Sequence, residues 1–283
     1  MKIKKFIKAH TINEVTKALE EFNGEIQIIA GGTDLSVKIR DGENDKAVIV
    51  DISDVSDMNK IEFSDNKLLI GSAVKFAEVE ECIDIKNEFK GLWAAAKSVG
   101  APQIRNLGTI GGNIANGSPA ADIVPPLLAL NACVTLESSN GKRILNLRDI
   151  YIGKGKVDIK EDEVLTFITI DRIKEKYYIE FEKLGLRNAL AIARLSTSLY
   201  LEKDENNIIE KIRVASGSLG LYPMRELKLE EFMVGKKLDK NLMIESANVY
   251  SGIVYDRLHE RSTCEFKKEA VKGIFLKAIE KCL

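Results

Sequence analysis

The sequence predicts an α+β protein of two domains, and three observations carry that reading. Its opening fifty or so residues alternate strand-like and helical periods as a compact β-α-β-β unit. From Tyr177 onward strands come first and helices afterwards, the order of an α+β domain rather than of an alternating one. Between them Asp171 to Lys176, five charged residues around Ile173, reads as a boundary, and 283 residues suit two domains.

Each element has a local reason. Ile12, Val15, Leu19 and Phe22 recur at helical spacing, Thr11 and Glu14 form a capping box, and Asn23-Gly24 stops the helix. "EIQIIA" is a short buried strand, followed by a bare polar elbow, then "LSVKIR", a turn at Asp41-Gly42 and a strand in "AVIVDIS". "NKLLIGSAV" is the next strand, with short helices around Lys75 to Glu81 and Gly91 to Val99. A long Gly/Asn-rich loop, "GAPQIRNLGTIGGNIANGSPAAD", follows them. Then come a helix-like segment, the strand "ACVTLES", a hairpin turn at Asn140-Gly141, and the strands "KRILNL" and "EVLTFITI". The second domain opens with the strands "YYIEFEKLG", "STSLYLEKD" and "NIIEKIRVASGSL", the last two joined through "DENN". Helical periodicity takes over through "RELKLEEFMVG", "DKNLMIESANVYSGIVYDRL" and "CEFKKEAVKGIFLKAIEKC". No repeat or low-complexity tract is visible.

Composition narrows the function classes. Lys plus Arg total 42 against 43 for Asp plus Glu, so no basic field for a phosphate backbone exists and nucleic acid is not the expected partner. The basic start "MKIKKFIKAH" is followed by no apolar run of signal length, and the longest oily stretch is broken by Pro125, Pro126 and Asn131. A cytoplasmic protein without membrane association is expected. Cys82, Cys133, Cys264 and Cys282 form no C-x-x-C pair and have no neighbouring histidine, so they read as reduced thiols, not as zinc or iron-sulfur ligands. His10 and His259 are equally isolated, and no metal site is expected.

The chemistry-bearing feature is the elbow "AGGTDL". Paired glycines after a strand free φ and remove Cβ atoms, so successive N–H groups can face one anion, and pyrophosphate is the natural candidate. A plain tight turn has the same residues, and the two readings stay open on this stretch alone. The elbow has neither the G-x-G-x-x-G spacing of a Rossmann unit nor the Lys of a P-loop. A second elbow of similar character, "GTIGGN" from Gly108 to Asn113, lies about eighty residues on, so two loops can clamp a diphosphate from two sides. Asp34 would repel that diphosphate, so its carboxylate is expected to turn away and accept N–H bonds from its own turn. Asp122, after "NGSPAA", either accepts hydroxyl protons from a ribose or ribityl chain or caps the helix beginning at Ile123.

Taken together, "IIAGGTDL" and "QIRNLGTIGGNIANGSPAADIVPPLLAL" resemble the FAD-binding subunits of molybdenum hydroxylases, among them the xanthine dehydrogenase FAD subunit, the carbon monoxide dehydrogenase medium subunit and the nicotinate dehydrogenase FAD subunit. The likeness spans essentially the whole chain. "LYPMRELKLEEFMVGKKLD" and "VYDRLHERSTCEFKKEAVKGIFLKAI" are most similar to the nicotinate and anaerobic xanthine dehydrogenase type.

The resemblance implies a p-cresol methylhydroxylase type FAD-binding domain over residues 1–172, with subdomains of about 1–55 and 56–172. A flavoprotein C-terminal domain would follow over 175–283, a three-stranded antiparallel sheet with helices. It implies noncovalent FAD, since neither histidine falls in the loops that carry covalent flavin, and no cysteine-bearing insert for an extra cluster. Cofactor-binding positions carried over are Ile29, Ala30, Gly31, Gly32, Thr33, Asp34, Leu35, Ala101, Thr109, Ile110, Gly111, Gly112, Asn113, Ala121, Asp122, Leu165 and Lys183, with no general acid or base among them. Lys183 reads either as a lysine by the flavin pyrimidine edge or as a solvated strand lysine. The implied partners are a 2Fe-2S ferredoxin-like subunit and a molybdopterin-binding subunit, with NAD or NADP as electron acceptor. Two other readings are a free-standing FAD oxidoreductase of the UDP-N-acetylenolpyruvoylglucosamine reductase kind and a scaffold subunit that has lost FAD.

Overall fold

In the computed structural model, which describes residues 3–172, 176–187 and 190–283, the capping box does what its sequence requires. The Thr11 hydroxyl accepts the Glu14 N–H at 3.2 Å, and the Glu14 carboxylate accepts the N–H groups of Thr11 and His10. Strand β1 (Lys5–Lys8) therefore leads into helix α1 (Ile12–Glu21), which Gly24, at φ +77°, releases into β2 (Ile26–Ile29). "LSVKIR" forms helix α2 (Leu35–Arg40), so the unit is β-α-β-α-β rather than β-α-β-β, and β3 (Val48–Asp51) closes it. The three strands make a parallel sheet in the order β1-β3-β2, which helices must connect.

The next unit is antiparallel. Strands β4 (Ile61–Phe63) and β5 (Lys67–Gly71) are followed by six short helices: α3 (Phe76–Glu81), α4 (Ile83–Glu88), α5 (Lys90–Ser98), α6 (Pro102–Arg105), α7 (Ile110–Ala115) and α8 (Val124–Ala129). The segment read as one long loop thus contains two short helices, α6 opening on Pro102 and α7 on the Thr109 N-cap. Strands β6 (Cys133–Ser138), β7 (Gly141–Asn146), β8 (Tyr151–Gly153), β9 (Lys156–Val157) and β10 (Val164–Asp171) complete the unit. The sheet order is β4-β5-β10-β6-β7, with β8 and β9 a separate hairpin. Ser138 pairs with Gly141, so the β6–β7 turn residues are Ser139 and Asn140, one position earlier than expected.

Three long strands, β11 (Tyr178–Leu184), β12 (Leu195–Lys203) and β13 (Ile209–Gly217), plus the two-residue β14 (Met224–Arg225), form the last sheet in sequence order. The turn after β12 is held by the Asp204 carboxylate, which accepts the N–H groups of Asn206 and Ile208. Helices α9 (Leu227–Met233), α10 (Lys240–Leu258) and α11 (Cys264–Ile279) cover one face of this sheet. Its other face joins the core of the preceding unit through Ile179, Phe181, Tyr200 and Ala215. Burial on both faces explains why Leu195 to Leu201 are all buried although three of them are Ser or Thr. Ser198 donates to the Glu180 carbonyl at 2.7 Å, satisfying the hydroxyl that the core cannot hydrate.

The Asp171 to Lys176 break coincides with the end of β10, although its residues 173–175 lie outside the described ones. On either side of residues 173–175 the chain is gripped by one residue. The Arg172 guanidinium pairs with both Glu88 carboxylate oxygens, at 2.9 and 2.7 Å, and the Tyr177 hydroxyl donates to the Glu88 carbonyl.

Helix α8 packs on the four-stranded sheet within the core of the preceding unit, with all six residues buried. Leu127→Ala is expected to cost about 2–5 kcal/mol, from lost burial plus the cavity left behind, read as a lowered midpoint in denaturant unfolding.

Candidate functional site

Strand β2 ends at Ile29 and delivers Ala30 to Asp34 to the C-terminal edge of the parallel sheet, facing the second unit across a cleft of about 550 Å³. At Gly31 the two units meet backbone to backbone. A Cβ there would lie 1.8 Å from the Leu107 carbonyl oxygen and 2.9 Å from the Gly108 Cα, so only glycine permits the contact. Gly32 adopts φ +68°, which turns the chain into α2. The N–H groups of Gly31, Gly32, Thr33, Asp34 and Leu35 donate to no protein acceptor among the described residues. All five residues line the cleft, forming a run of unpaired donors suited to an anion.

The second loop is built differently from the matching elbow that the sequence suggested. Thr109 caps α7 by accepting the Gly112 N–H at 3.1 Å, and Asn113 N–H donates to the Thr109 carbonyl. Ile110 N–H donates to Val74 and Gly111 N–H to Ser72, at 2.9 and 2.8 Å. Its amides are committed to the fold. What it offers the cleft is close backbone approach: a Cβ on Gly111 would meet the Ser72 Cβ at 2.4 Å. Two buried oxygens on this wall, Ser72 Oγ and Asn113 Oδ1, have no protein partner, and such groups ordinarily find one.

Asp34 does not accept the N–H bonds of its own turn, and no side-chain cap is present at α2. Its Oδ2 accepts the Thr33 hydroxyl at 3.4 Å, and its Oδ1 accepts the side-chain amide of Asn116 at 3.2 Å. Asn116 in turn accepts the Lys38 ammonium at 3.0 Å, so a polar chain crosses from one wall to the other. On the far side, a register shift of β10 between Leu165 and Phe167 interrupts the sheet where Leu165 reaches the cleft, next to Val157 and Ile159.

Of the positions read from sequence, Ile29 to Leu35, Thr109, Gly111 to Asn113 and Leu165 line this cleft, while Ile110 is buried beneath it. Ala101, Ala121, Asp122 and Lys183 do not line it, and of these Asp122 and Lys183 meet at a second place. There the Lys183 ammonium bonds the Asp122 carboxylate at 2.5 Å and the Ser98 carbonyl at 3.0 Å. Lys183 is thus a nearly buried, paired lysine rather than a solvated one. Asp122 caps no helix: α8 has no side-chain cap, and Asp122 Oδ1 is buried without a partner. Burial pushes the Asp122 carboxyl up to about 6 against the opposing pull of Lys183. Sequence reasoning missed Ser72, Lys38 and Asn116, which carry no motif. Only the proximity of Asn116 to the second elbow pointed toward it.

This two-loop cleft lies between a parallel subdomain and an antiparallel one and has neither the Rossmann spacing nor the P-loop lysine. Residues 1–171 match the family described as the FAD binding domain in molybdopterin dehydrogenase, and residues 180–282 match the CO dehydrogenase flavoprotein C-terminal domain. The chain belongs to this family of FAD-binding subunits of molybdenum hydroxylases, which are oxidoreductases. It is 34% identical over 272 residues to the nicotinate dehydrogenase FAD-subunit of Eubacterium barkeri, covering 92% of each chain. Identity to the xanthine dehydrogenase FAD-binding subunit of Escherichia coli O157:H7 is 28%, over 98% of this chain and 94% of that one. Among solved structures, carbon monoxide dehydrogenase from Hydrogenophaga pseudoflava shares the fold at a TM-score of 0.90 and 21% identity, covering 98% of this chain and 96% of that one. Quinoline 2-oxidoreductase from Pseudomonas putida 86 does so at 0.89 and 22%, covering 98% and 95%.

Gly31→Ala is expected to force the two loops apart and lower the thermal midpoint sharply. Gly252→Ala, in the open on α10 with nothing near its Cβ position, should instead stabilise by about 0.5–1 kcal/mol. Because the Asp122 pKa is raised in the folded state, the proton it holds favours folding below its ordinary value of 3.8, and that contribution is lost as pH rises through about 6. The stability difference between wild type and Asp122→Asn should change over that window, measured by denaturant unfolding of the apoprotein at several pH values.

Proposed function

We propose that the cleft holds FAD noncovalently, and that the chain passes electrons from a 2Fe-2S ferredoxin-like subunit to NAD or NADP within a complex that also contains a molybdopterin-binding subunit. The single observation that carries the cofactor placement is the run of five unpaired N–H groups from Gly31 to Leu35 beside a glycine that admits no side chain. Bound FAD supplies the exchange between one-electron carriers and a two-electron hydride acceptor.

The chain's own residues bind and orient. The free amides receive the diphosphate, and the polar chain from Thr33 through Asp34 to Asn116 engages the carboxylate that stands within the loop itself. Ser72 Oγ and Asn113 Oδ1 are partners for cofactor hydroxyls or water on the opposite wall, and Leu165, Val157 and Ile159 give an apolar surface. At the second cluster Lys183 and Asp122 form the flavin-side pair. The relatives' names support the subunit reading, since they are a FAD-subunit and a FAD-binding subunit of dehydrogenases. Four free cysteines fit a reducing compartment such as the cytoplasm. Among the described residues no helix is long and apolar enough to cross a membrane.

Purification of the complex is expected to yield one FAD per chain, released by denaturation, together with two further subunits and reduction of NAD or NADP. A flavin-free preparation that takes up no added FAD would sink the proposal. Gly32→Asp and Gly32→Asn separate charge from strain, because both residues tolerate a left-handed backbone. The carboxylate should abolish FAD binding, while the amide should retain part of it in an absorbance titration.

A further inference from the structure

A diphosphate carries two negative charges into a cleft whose first loop offers only amide dipoles and whose nearest side-chain charge is the Asp34 carboxylate. Amide dipoles favour an anion there, and a cation within reach would add to them. Lys46 is occupied at the cleft mouth, bonding the Gly24 carbonyl and standing 3.6 Å from Glu161. Lys160 sits beside Glu163, whose carboxylate accepts its N–H and feels its charge. Lys38 is different. It lies on α2, directly after the free amides, and its ammonium is held by the side-chain oxygen of Asn116, a neutral acceptor from the opposite wall. Among the described residues no carboxylate pairs with it. The same Asn116 amide donates to Asp34, so the Lys38 charge stands next to the carboxylate that would oppose a diphosphate.

We propose that Lys38 is the counter-charge for the cofactor diphosphate, with Asn116 holding its ammonium over the gap between the loops so that it faces the phosphates while Asn116 keeps Asp34 turned aside. The inference rests on the reading of this cleft as the FAD site. It makes Lys38 a binding residue rather than a surface lysine, and it assigns the long-range part of the attraction to one side chain. Because Lys38 is exposed, solvent and salt screen its contribution, which sets the expected size at about tenfold in affinity rather than at complete loss.

The test is titration of the apoprotein with FAD at low and high ionic strength for wild type, Lys38→Met and Lys38→Arg, with the thermal midpoint of each apoprotein as a folding check. Lys38→Met is expected to weaken FAD by about tenfold at low salt, to flatten the salt dependence, and to leave the thermal midpoint of the exposed site unchanged. Lys38→Gln replaces it should the methionine disturb folding, and Lys38→Arg is expected to restore both affinity and salt dependence. Equal affinity for wild type and Lys38→Met, an unchanged salt slope, or failure of arginine to rescue would each overturn the assignment. A wild-type protein that takes up no FAD would instead overturn the cleft reading itself, so the two failures are distinguishable.

Discussion

The contact on which the site depends is main chain against main chain: the Gly31 Cα resting on the Leu107 carbonyl and Gly108. A side chain at that point would separate the parallel subdomain from the antiparallel one, and everything nearby presumes that they touch. The Asn116 to Asp34 bond reaches across only because the loops are that close. The apolar cluster beneath the cleft is likewise shared, since Val15, Leu19 and Val50 pack with Met58, Ala73 and Val164 from the second subdomain. A cleft between two subdomains that share a core keeps its width, and its donors are already aimed before any ligand arrives.

The two loops look alike in sequence and divide the work in structure. In the first, N–H groups stay free because the chain turns through a left-handed glycine instead of settling at once into a helix. In the second, the same residue types open a capped helix, and the amides are consumed by Thr109, Val74 and Ser72. Glycine there serves proximity and not donation. Charge is handled in parallel fashion at both clusters: Asp34 is engaged by a neutral amide and Asp122 by an ammonium, so neither carboxylate is left facing an anion alone.

Much of the fold is legible in local signals. The Thr11/Glu14 box, the "DENN" turn and the three long strands after Tyr177 are determined by neighbours in sequence, and the structure places them where those signals point. The departures have physical reasons. "LSVKIR" is helical because parallel strands need a crossover, a constraint that six residues do not express. Helices α6 and α7 hide in a Gly/Asn-rich stretch because a proline start and a threonine cap outweigh poor propensity over a single turn. Glycine pairs show in the sequence as places of close approach, but what approaches Gly31 is Leu107, some seventy-five residues away, and no spacing rule carries that. The Asp34–Asn116 and Asp122–Lys183 bonds are equally long-range, which is why those roles emerged only from the three-dimensional arrangement.

Glu88 ends α4 and holds the chain at both Arg172 and Tyr177, with its carboxylate on one and its carbonyl on the other. The two domains are therefore stitched at a fixed point that is independent of whatever runs between those residues. The start of the four-stranded sheet is thus tied to the end of α4 directly, and not through the connector alone.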